Sequence, residues 1–302
     1  MPRAPPVTTQ LVGAEVLDMA GVNQNPPNPP RTPEGRTYRF EMNPAPDPRV
    51  APVEGNMAAF HRVLTTLPML TVDARPDVTA FRSGLPHPLF NGVIGACFAP
   101  GTEEVRVRET VAPFLEQELP FLWWSSPSTW SPALDRALLA ADLLREDSPG
   151  MHRDLTSTPE VPEVLGLEIA LGADAATPDV ARLMCEGFDI PDPLAGPIQD
   201  LLDLFDPARL VNAVATLDGE QVGCGSLWIT GTTAGLYNIA TLEPARGRGV
   251  GYAVTAALLA EGRTRGCTES ILHASPLGLP VYQRLGFVEV CRMPQYVWAP
   301  GF

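Results

Sequence analysis

Arg246-Gly247-Arg248-Gly249-Val250-Gly251 is the stretch of this chain whose residue types specify chemistry most clearly. It follows an apolar run (Leu236, Tyr237, Ile239, Ala240, Leu242) that reads as a buried strand, and a turn at Glu243-Pro244-Ala245. Behind it, Val250, Ala253, Val254, Ala257 and Leu258 fall at the i, i+3, i+4, i+7, i+8 spacing of a helix, which closes on Arg263, Arg265 and Gly266. Strand, glycine-rich loop and helix N-terminus together hold a phosphate. The first helical N–H groups lack internal acceptors, the dipole favours an anion, and glycines let the backbone come close. Arg246 and Arg248 would add positive charge there; an ordinary turn with solvated arginines is the alternative. A dinucleotide fingerprint is disfavoured, because the frame Gly249-x-Gly251-x-x ends on Val254. The glycines also come several residues after the strand, and Glu269 precedes the next strand instead of closing it.

Further along lie a second strand, Ile271 to Ala274, and a short helix ending in Tyr282-Gln283-Arg284-Leu285-Gly286-Phe287. His273 has the side chain whose ordinary pKa of ~6.5 suits a general base. It shares a strand face with Ser275, since strand side chains alternate. A structural histidine is the alternative for His273, and a core aromatic the alternative for Tyr282.

Arg-x-x-Gly-x-Gly after a strand, then a helix, a strand and Tyr-x-x-x-Gly-Phe, resembles the GNAT superfamily of acyl-CoA-dependent N-acetyltransferases. The resemblance covers the C-terminal part of the chain and implies acetyl-CoA as cosubstrate, with no metal. It implies that Arg246, Gly247, Arg248, Gly249, Val250 and Gly251 wrap the pyrophosphate. Ile239, Ala240 and Thr241 would pair with the pantetheine arm and polarise the acetyl carbonyl. Tyr282 matches the tyrosine that protonates the departing thiolate. Ser275 stands where the family commonly has Asn, and Pro244 is one residue nearer the arginine than usual. The acceptor implied is a small-molecule or peptide amine. A lysine-like amine of pKa ~10.4 must lose a proton first, a deficit of roughly 4–5 kcal/mol at neutral pH, and the sequence does not identify the base. A non-catalytic acyl-CoA-binding module and an O-acetyltransferase are the rival readings.

The wider composition fits a soluble globular protein. Of 302 residues, 45% are hydrophobic and 19% charged, and the formal net charge is −14. That acidity argues against nucleic acid as a partner, because such binding rests on basic side chains against phosphates. Apart from histidine, every basic residue is arginine. The five cysteines (Cys97, Cys185, Cys224, Cys267, Cys291) are scattered and never form C-x-x-C, which reads as reduced thiols in a cytoplasmic protein. No apolar run approaches the ~20 residues of a membrane span, and no signal peptide is expected.

These residues need a scaffold. Residues 1–55 read as a proline-rich arm with a short amphipathic piece around Leu11 to Met19. A domain over 56–155 is expected to hold a helix at Met57–Leu64 and strands at Met69–Val72 and Gly92–Phe98. A helix bearing Val107, Val111, Phe114 and Leu115 follows, then a strand Phe121–Trp124 and a helix bearing Leu134, Ala137, Leu138 and Ala141. This order repeats that of residues 249–287, with Ala141-Asp142-Leu143 standing where Leu285-Gly286-Phe287 stands, but without Arg-x-x-Gly-x-Gly. It reads as a degenerate GNAT-like copy, with an unrelated α/β domain as the alternative. A linker is expected at 156–166 and the acetyltransferase domain at 167–302. That domain should open with strand Leu167–Leu171, two amphipathic helices around Val180–Phe188 and Ile198–Phe205, and strands Val211–Leu217 and Gln221–Ile229 joined by Asp218-Gly219. The fold class expected is α/β (α+β): a mixed central β-sheet flanked by helices, in a tandem arrangement of two such domains. The oligomeric state is not legible.

Overall fold

A computed structural model describes residues 47–300; the amphipathic piece around Leu11 to Met19 lies outside the described residues. In chain order, the N-terminal half contains α1 (Val50–Leu64), β1 (Thr71–Arg75), β2 (Val78–Arg82), β3 (Gly92–Ile94) and α2 (Glu103–Leu115). It continues with β4 (Phe121–Trp124), α3 (Pro132–Ala140) and β5 (Leu144–Asp154). The C-terminal half contains β6 (Leu167–Leu171), α4 (Thr177–Gly187), α5 (Ala195–Asp203), β7 (Leu210–Leu217), β8 (Glu220–Thr230) and β9 (Thr233–Thr241). It ends with α6 (Val250–Thr264), β10 (Glu269–His273), α7 (Leu279–Arg284) and β11 (Val288–Trp298).

The described strands form one mixed sheet in the order β1-β2-β3-β4-β11-β5-β10-β9-β8-β7-β6. The centre of that order shows an exchange. β5, the last strand of the N-terminal half, lies between β10 and β11 and pairs antiparallel with both. β11, the last strand of the C-terminal half, lies between β5 and β4 and pairs antiparallel with both. Each half therefore completes the other's sheet. Around this exchange the two halves follow one plan. Antiparallel strands (β1-β2-β3; β7-β8-β9) lead into a parallel pair bridged by a helix, β3 with β4 across α2 and β9 with β10 across α6. A short helix and the exchanged strand then follow in each.

Helix ends repeat the plan at the level of single hydrogen bonds. After α7, the Phe287 N–H donates to the Tyr282 carbonyl at 3.0 Å, with Gly286 at φ 83°. After α3, the Leu143 N–H donates to the Leu138 carbonyl at 3.2 Å, with Asp142 at φ 61°. Both are six-to-one closures that require a left-handed residue. After α2 and α6 the same closure recurs, with Glu118 at φ 51° where the C-terminal half has Gly266 at φ 89°.

The four helices α2, α3, α6 and α7 cover one face of the sheet. Val107, Phe114 and Leu138 pack there around Trp123, and Val254, Leu258 and Tyr282 around Leu236 and Leu272. The opposite face carries α4 and α5, with Val180, Leu183, Ile198 and Leu202 against Val214, Trp228 and Ala240. It also carries α1, which leaves its own half to lie across β5, β8, β9 and β10. Asn56 fixes that crossing: its Nδ2 donates to the Trp228 carbonyl at 3.2 Å and to Thr230 Oγ1 at 2.7 Å. A Cβ at Gly235 would stand 2.0 Å from Asn56 Oδ1, so glycine is what admits the helix.

Several expectations need correction. α1 begins at Val50 instead of Met57, because Val53 and Met57 both face the sheet. The expected strand Gly92–Phe98 stops at Ile94, where Gly95 turns at φ 65°, and the first strand spans Thr71–Arg75. β2 and the exchanged strands β5 and β11 were not expected. Pro149 and Pro294 lie in their interiors, the Pro149 carbonyl accepting from the Ala274 N–H at 3.0 Å and the Pro294 carbonyl from the Ser125 N–H at 3.0 Å.

Candidate active site

The parallel ladder between β9 and β10 runs from Thr233↔Glu269 to Leu236↔Leu272 and ends there. β9 continues to Thr241, still paired on its other edge with β8 (Ala240↔Cys224, Thr241↔Gly223). A bulge opens that pairing at Asn238 and Ile239, with Asn238 at φ 56°. The β10-facing edge of Tyr237–Thr241 is thus an unpaired strand edge, open to an extended partner. Ile239 turns its side chain toward α6, where Val254 and Leu258 lie around Gly225.

At the end of that edge the chain turns through Glu243–Ala245 into the glycine loop. Gly247 and Gly249 sit at φ 75° and 86°, and Gly249 is the N-cap of α6. The first backbone bond of the helix runs from the Ala253 N–H to the Gly249 carbonyl. The N–H groups of Val250, Gly251 and Tyr252 have no acceptor among the described residues, so they form an open cradle at the positive end of the helix dipole. A Cβ at Gly249 would reach Val164 Cγ2 at 3.4 Å, and one at Gly251 would reach Thr241 Oγ1 at 3.3 Å. Arg246 and Arg248 are both exposed. The first donates from Nε to the Thr241 carbonyl at 3.1 Å, tying loop to strand; the second pairs with Asp218 at 3.2 Å on the β7–β8 turn.

Ser275 and Tyr282 meet beside this opening. A Cβ at Gly278 would touch Tyr282 Cε2 at 2.6 Å and Ser275 Oγ at 3.3 Å, which places both side chains around one glycine. Ser275 Oγ accepts from the Gly278 N–H at 3.1 Å, so this side chain also shapes the turn into α7. Tyr282 is 8% exposed, its ring edge-on to Phe287 at 6.2 Å. Its hydroxyl makes no hydrogen bond among the described residues, and burial pushes its pKa up to about 12. A hydroxyl so placed keeps its proton at neutral pH and is free to give it to an anion that forms beside it.

His273, the last residue of β10, lies on the other face, the one α1 covers. Its Nε2 is buried without a partner, and burial holds the ring at about 4. His61 of α1 is close enough to feel its charge and is itself held at about 3, mainly by burial. The His61 ring lies 4.8 Å from Trp124 at 49°. Both imidazoles are therefore neutral at pH 7. Nearby, Tyr237 stacks on Phe60 of α1 at 4.6 Å and donates to Asn56 Oδ1 at 2.7 Å. Sequence reasoning missed this contribution of α1. The only signal was its amphipathic pattern, which names no partner. Among the described residues, no cluster of His, Cys, Asp and Glu is placed to hold a metal ion.

The corresponding junction in the N-terminal half, between β3 and α2, is built differently. Gly101 has φ 85°, but its N–H is taken by Glu103 Oε2 at 2.7 Å, and Glu103 and Glu104 occupy the first turn. Leu138 stands where α7 has Tyr282, its carbonyl accepting the bond that closes the helix as the Tyr282 carbonyl does.

Residues 178–287 match the family model described as Acetyltransferase (GNAT) family. No curated protein matches the chain in sequence. Among solved structures, the chain is similar to a GCN5-related N-acetyltransferase from Kribbella flavida, at 17% identity and TM-score 0.61 over 83% of this chain and 96% of that one. It is also similar to a GCN5-related N-acetyltransferase from Sphaerobacter thermophilus (18%, TM-score 0.56, 84% and 91% covered). A tandem GNAT protein from the clavulanic acid biosynthesis pathway aligns at 16% identity and TM-score 0.51 over 87% of this chain and 91% of that one. At these identities the likeness is one of fold.

Proposed function

We propose, from the premise that this chain is a member of the GNAT superfamily and an acyltransferase, that it transfers an acetyl group from acetyl-CoA to a primary amine at one site, in its C-terminal half. One observation carries the reading. The unpaired edge Tyr237–Thr241 runs directly into a helix N-terminus whose free N–H groups are flanked by left-handed glycines. An extended pantetheine arm pairs with the edge while its pyrophosphate meets the N–H groups of Val250, Gly251 and Tyr252. Arg246 and Arg248 add charge at the rim, the latter shared with Asp218. The bulge at Asn238–Ile239 presents backbone N–H to the thioester carbonyl.

The reaction adds the amine nitrogen to that carbonyl and expels CoA as a thiolate. Tyr282, with its proton retained and its hydroxyl unpaired, supplies the proton to sulfur. Ser275 lies close enough to hold a water in the same relay, and His273 faces the acceptor side as a neutral hydrogen-bonding ring. The acceptor enters from the face walled by α4, α5 and α1. In the N-terminal half, Glu103 takes the Gly101 N–H and, with Glu104, sets negative charge on the first turn of α2, so that half acts as scaffold and not as a second catalytic site. This is the behaviour of a degenerate copy.

Release of free thiol from acetyl-CoA, dependent on added amine, tests the reading. Screening amines, amino acids, aminoglycosides and peptides should find an acceptor, with mass analysis locating the acetyl group on nitrogen. Tight acetyl-CoA binding with no acceptor-dependent release from any member would favour a binding module, and an ester product an O-acetyltransferase.

A further inference from the structure

Glu146 is a partly buried acid with no role so far. It lies on β5, and its Oε2 is enclosed without a hydrogen-bond partner. Its position follows from strand register. Gly150, four residues on, faces α1, because a Cβ there would meet Val53 Cγ1 at 3.2 Å. Alternation puts Ser148 and Glu146 on the same face. Gly150 pairs with His273, the last residue of β10, so Ser148 and Glu146 continue past the point where β10 leaves the sheet. They form the far bank of the opening whose near bank is Tyr237–Thr241. The row through Glu146 runs on to Gln295 and Trp124, and Trp124 carries the His61 ring. The acid therefore comes from the N-terminal half and lies on the sheet face that α1 covers, the face assigned to the acceptor.

We propose that Glu146 accepts the proton of the incoming ammonium group and thereby selects cationic primary amines as acceptors. This rests on the acetyl-transfer reading above. In the step, Glu146 Oε2, directly or through one water, takes a proton from R–NH3+. The R–NH2 lone pair forms the C–N bond, the C–S bond breaks with its electrons on sulfur, and the second nitrogen proton reaches sulfur by way of Tyr282. One proton per turnover is released to solvent when Glu146 deprotonates again.

Burial, and to a lesser degree the charge of Asp147, pushes this carboxyl up to about 8, whereas burial holds His273 to about 4. A base near 8 is matched to an alkylammonium at working pH; one near 4 is not. Arg145 and Asp147 flank it on β5 and His152 shares its face; Cys291 and uncharged Gln295 stand on that face of β11, Glu54 of α1 acts on Cys291, and the neutral imidazoles of His61 and His273 lie on the same side. The raised pKa also fixes a sign for stability. Since the folded state holds this proton up to about 8 and the unfolded chain only to 4.5, stability falls as pH rises through that window. Glu146→Gln removes that penalty.

The test uses the full chain and two probe nucleophiles: cadaverine, cationic at pH 7.5, and methoxyamine, whose nitrogen is already neutral. Glu146→Gln should lower kcat/KM for cadaverine by ~10²-fold, in the range of general-base contributions, while methoxyamine and acetyl-CoA affinity change less than about threefold. Glu146→Asp should restore part of the cadaverine rate, and the melting temperature of Glu146→Gln should exceed wild type at pH 8 but not at pH 5. Undiminished cadaverine turnover in Glu146→Gln, or equal loss with both probes, overturns the role of Glu146 and leaves acetyl transfer standing. Wild-type protein that binds acetyl-CoA but acetylates neither probe refutes the transfer reading, and this proposal with it.

Discussion

The two strand–loop–helix junctions of this molecule have the same backbone plan and opposite chemistry. Between β9 and α6, Gly249 at φ 86° opens a helix whose first N–H groups are free, with arginines at the rim. Between β3 and α2, Gly101 at φ 85° precedes a helix of nearly the same length, but its own N–H is taken by the Glu103 carboxylate, and Glu104 adds a second negative charge to the first turn. An acidic first turn stabilises an isolated helix by a few tenths of a kcal/mol and repels a pyrophosphate at the same place. The lesson is that fold and anion site separate cleanly. The left-handed glycine and the helix belong to the fold, while the charge of the first turn decides whether anything is held there.

The largest way to break the comparison is to cut the halves apart. Residues 167–302 alone lack β5, which leaves an edge of β10 and an edge of β11 unpaired in the middle of the sheet. The expected outcome is a polypeptide without a cooperative unfolding transition by circular dichroism. A cooperatively folded fragment would mean that the exchange is dispensable.

Tyr282→Phe comes next. It leaves ring packing against Phe287 in place and should lower kcat by ~10²-fold, about 2.7 kcal/mol of transition-state stabilisation, with acetyl-CoA affinity unchanged. A purely structural tyrosine would instead change the melting temperature and spare turnover. Ser275→Ala is the internal control for a water-mediated proton path.

Smaller effects should follow from exchanging the residues that close α3 and α7. Asp142 holds a left-handed conformation that glycine adopts without strain, so Asp142→Gly should stabilise by about 0.5–1 kcal/mol. Gly286→Asp should destabilise by about 1 kcal/mol or more, since its new Cβ would also press on Arg153 Nη1 at 2.8 Å. Chemical denaturation measures both. Changes of the same sign would undo the equivalence of the two closures.

The legible parts of this protein were the local ones. The glycine loop, the helical spacing behind it and the Tyr-x-x-x-Gly-Phe closure each specify geometry within a few residues, and α6, β10 and α7 form where those patterns lie. Even the alignment of Asp142 with Gly286 was visible from the repeated order of elements, and both positions take the left-handed conformation. The exchange was not. β5 reads Leu-Arg-Glu-Asp-Ser-Pro-Gly-Met-His-Arg-Asp, charged and broken by Pro149, and nothing local marks it as a central strand. Its partners are more than a hundred residues away in β10 and β11, so its burial is dictated by topology. The same holds for α1, whose Asn56 and His61 meet residues of β8, β9 and β10, and for Glu146, whose neighbours depend on a register no short motif records.

Calorimetric titration of acetyl-CoA into the full chain tests the central contrast most directly, with Gly249→Val beside it. Valine at φ 86° is strained, and its methyl groups would crowd the free N–H groups of α6. The account predicts one acetyl-CoA per chain in the wild type and a loss of affinity of at least ~10²-fold in a folded Gly249→Val protein, costing about 2.7 kcal/mol or more. Two sites per chain, or unchanged binding in Gly249→Val, would contradict it.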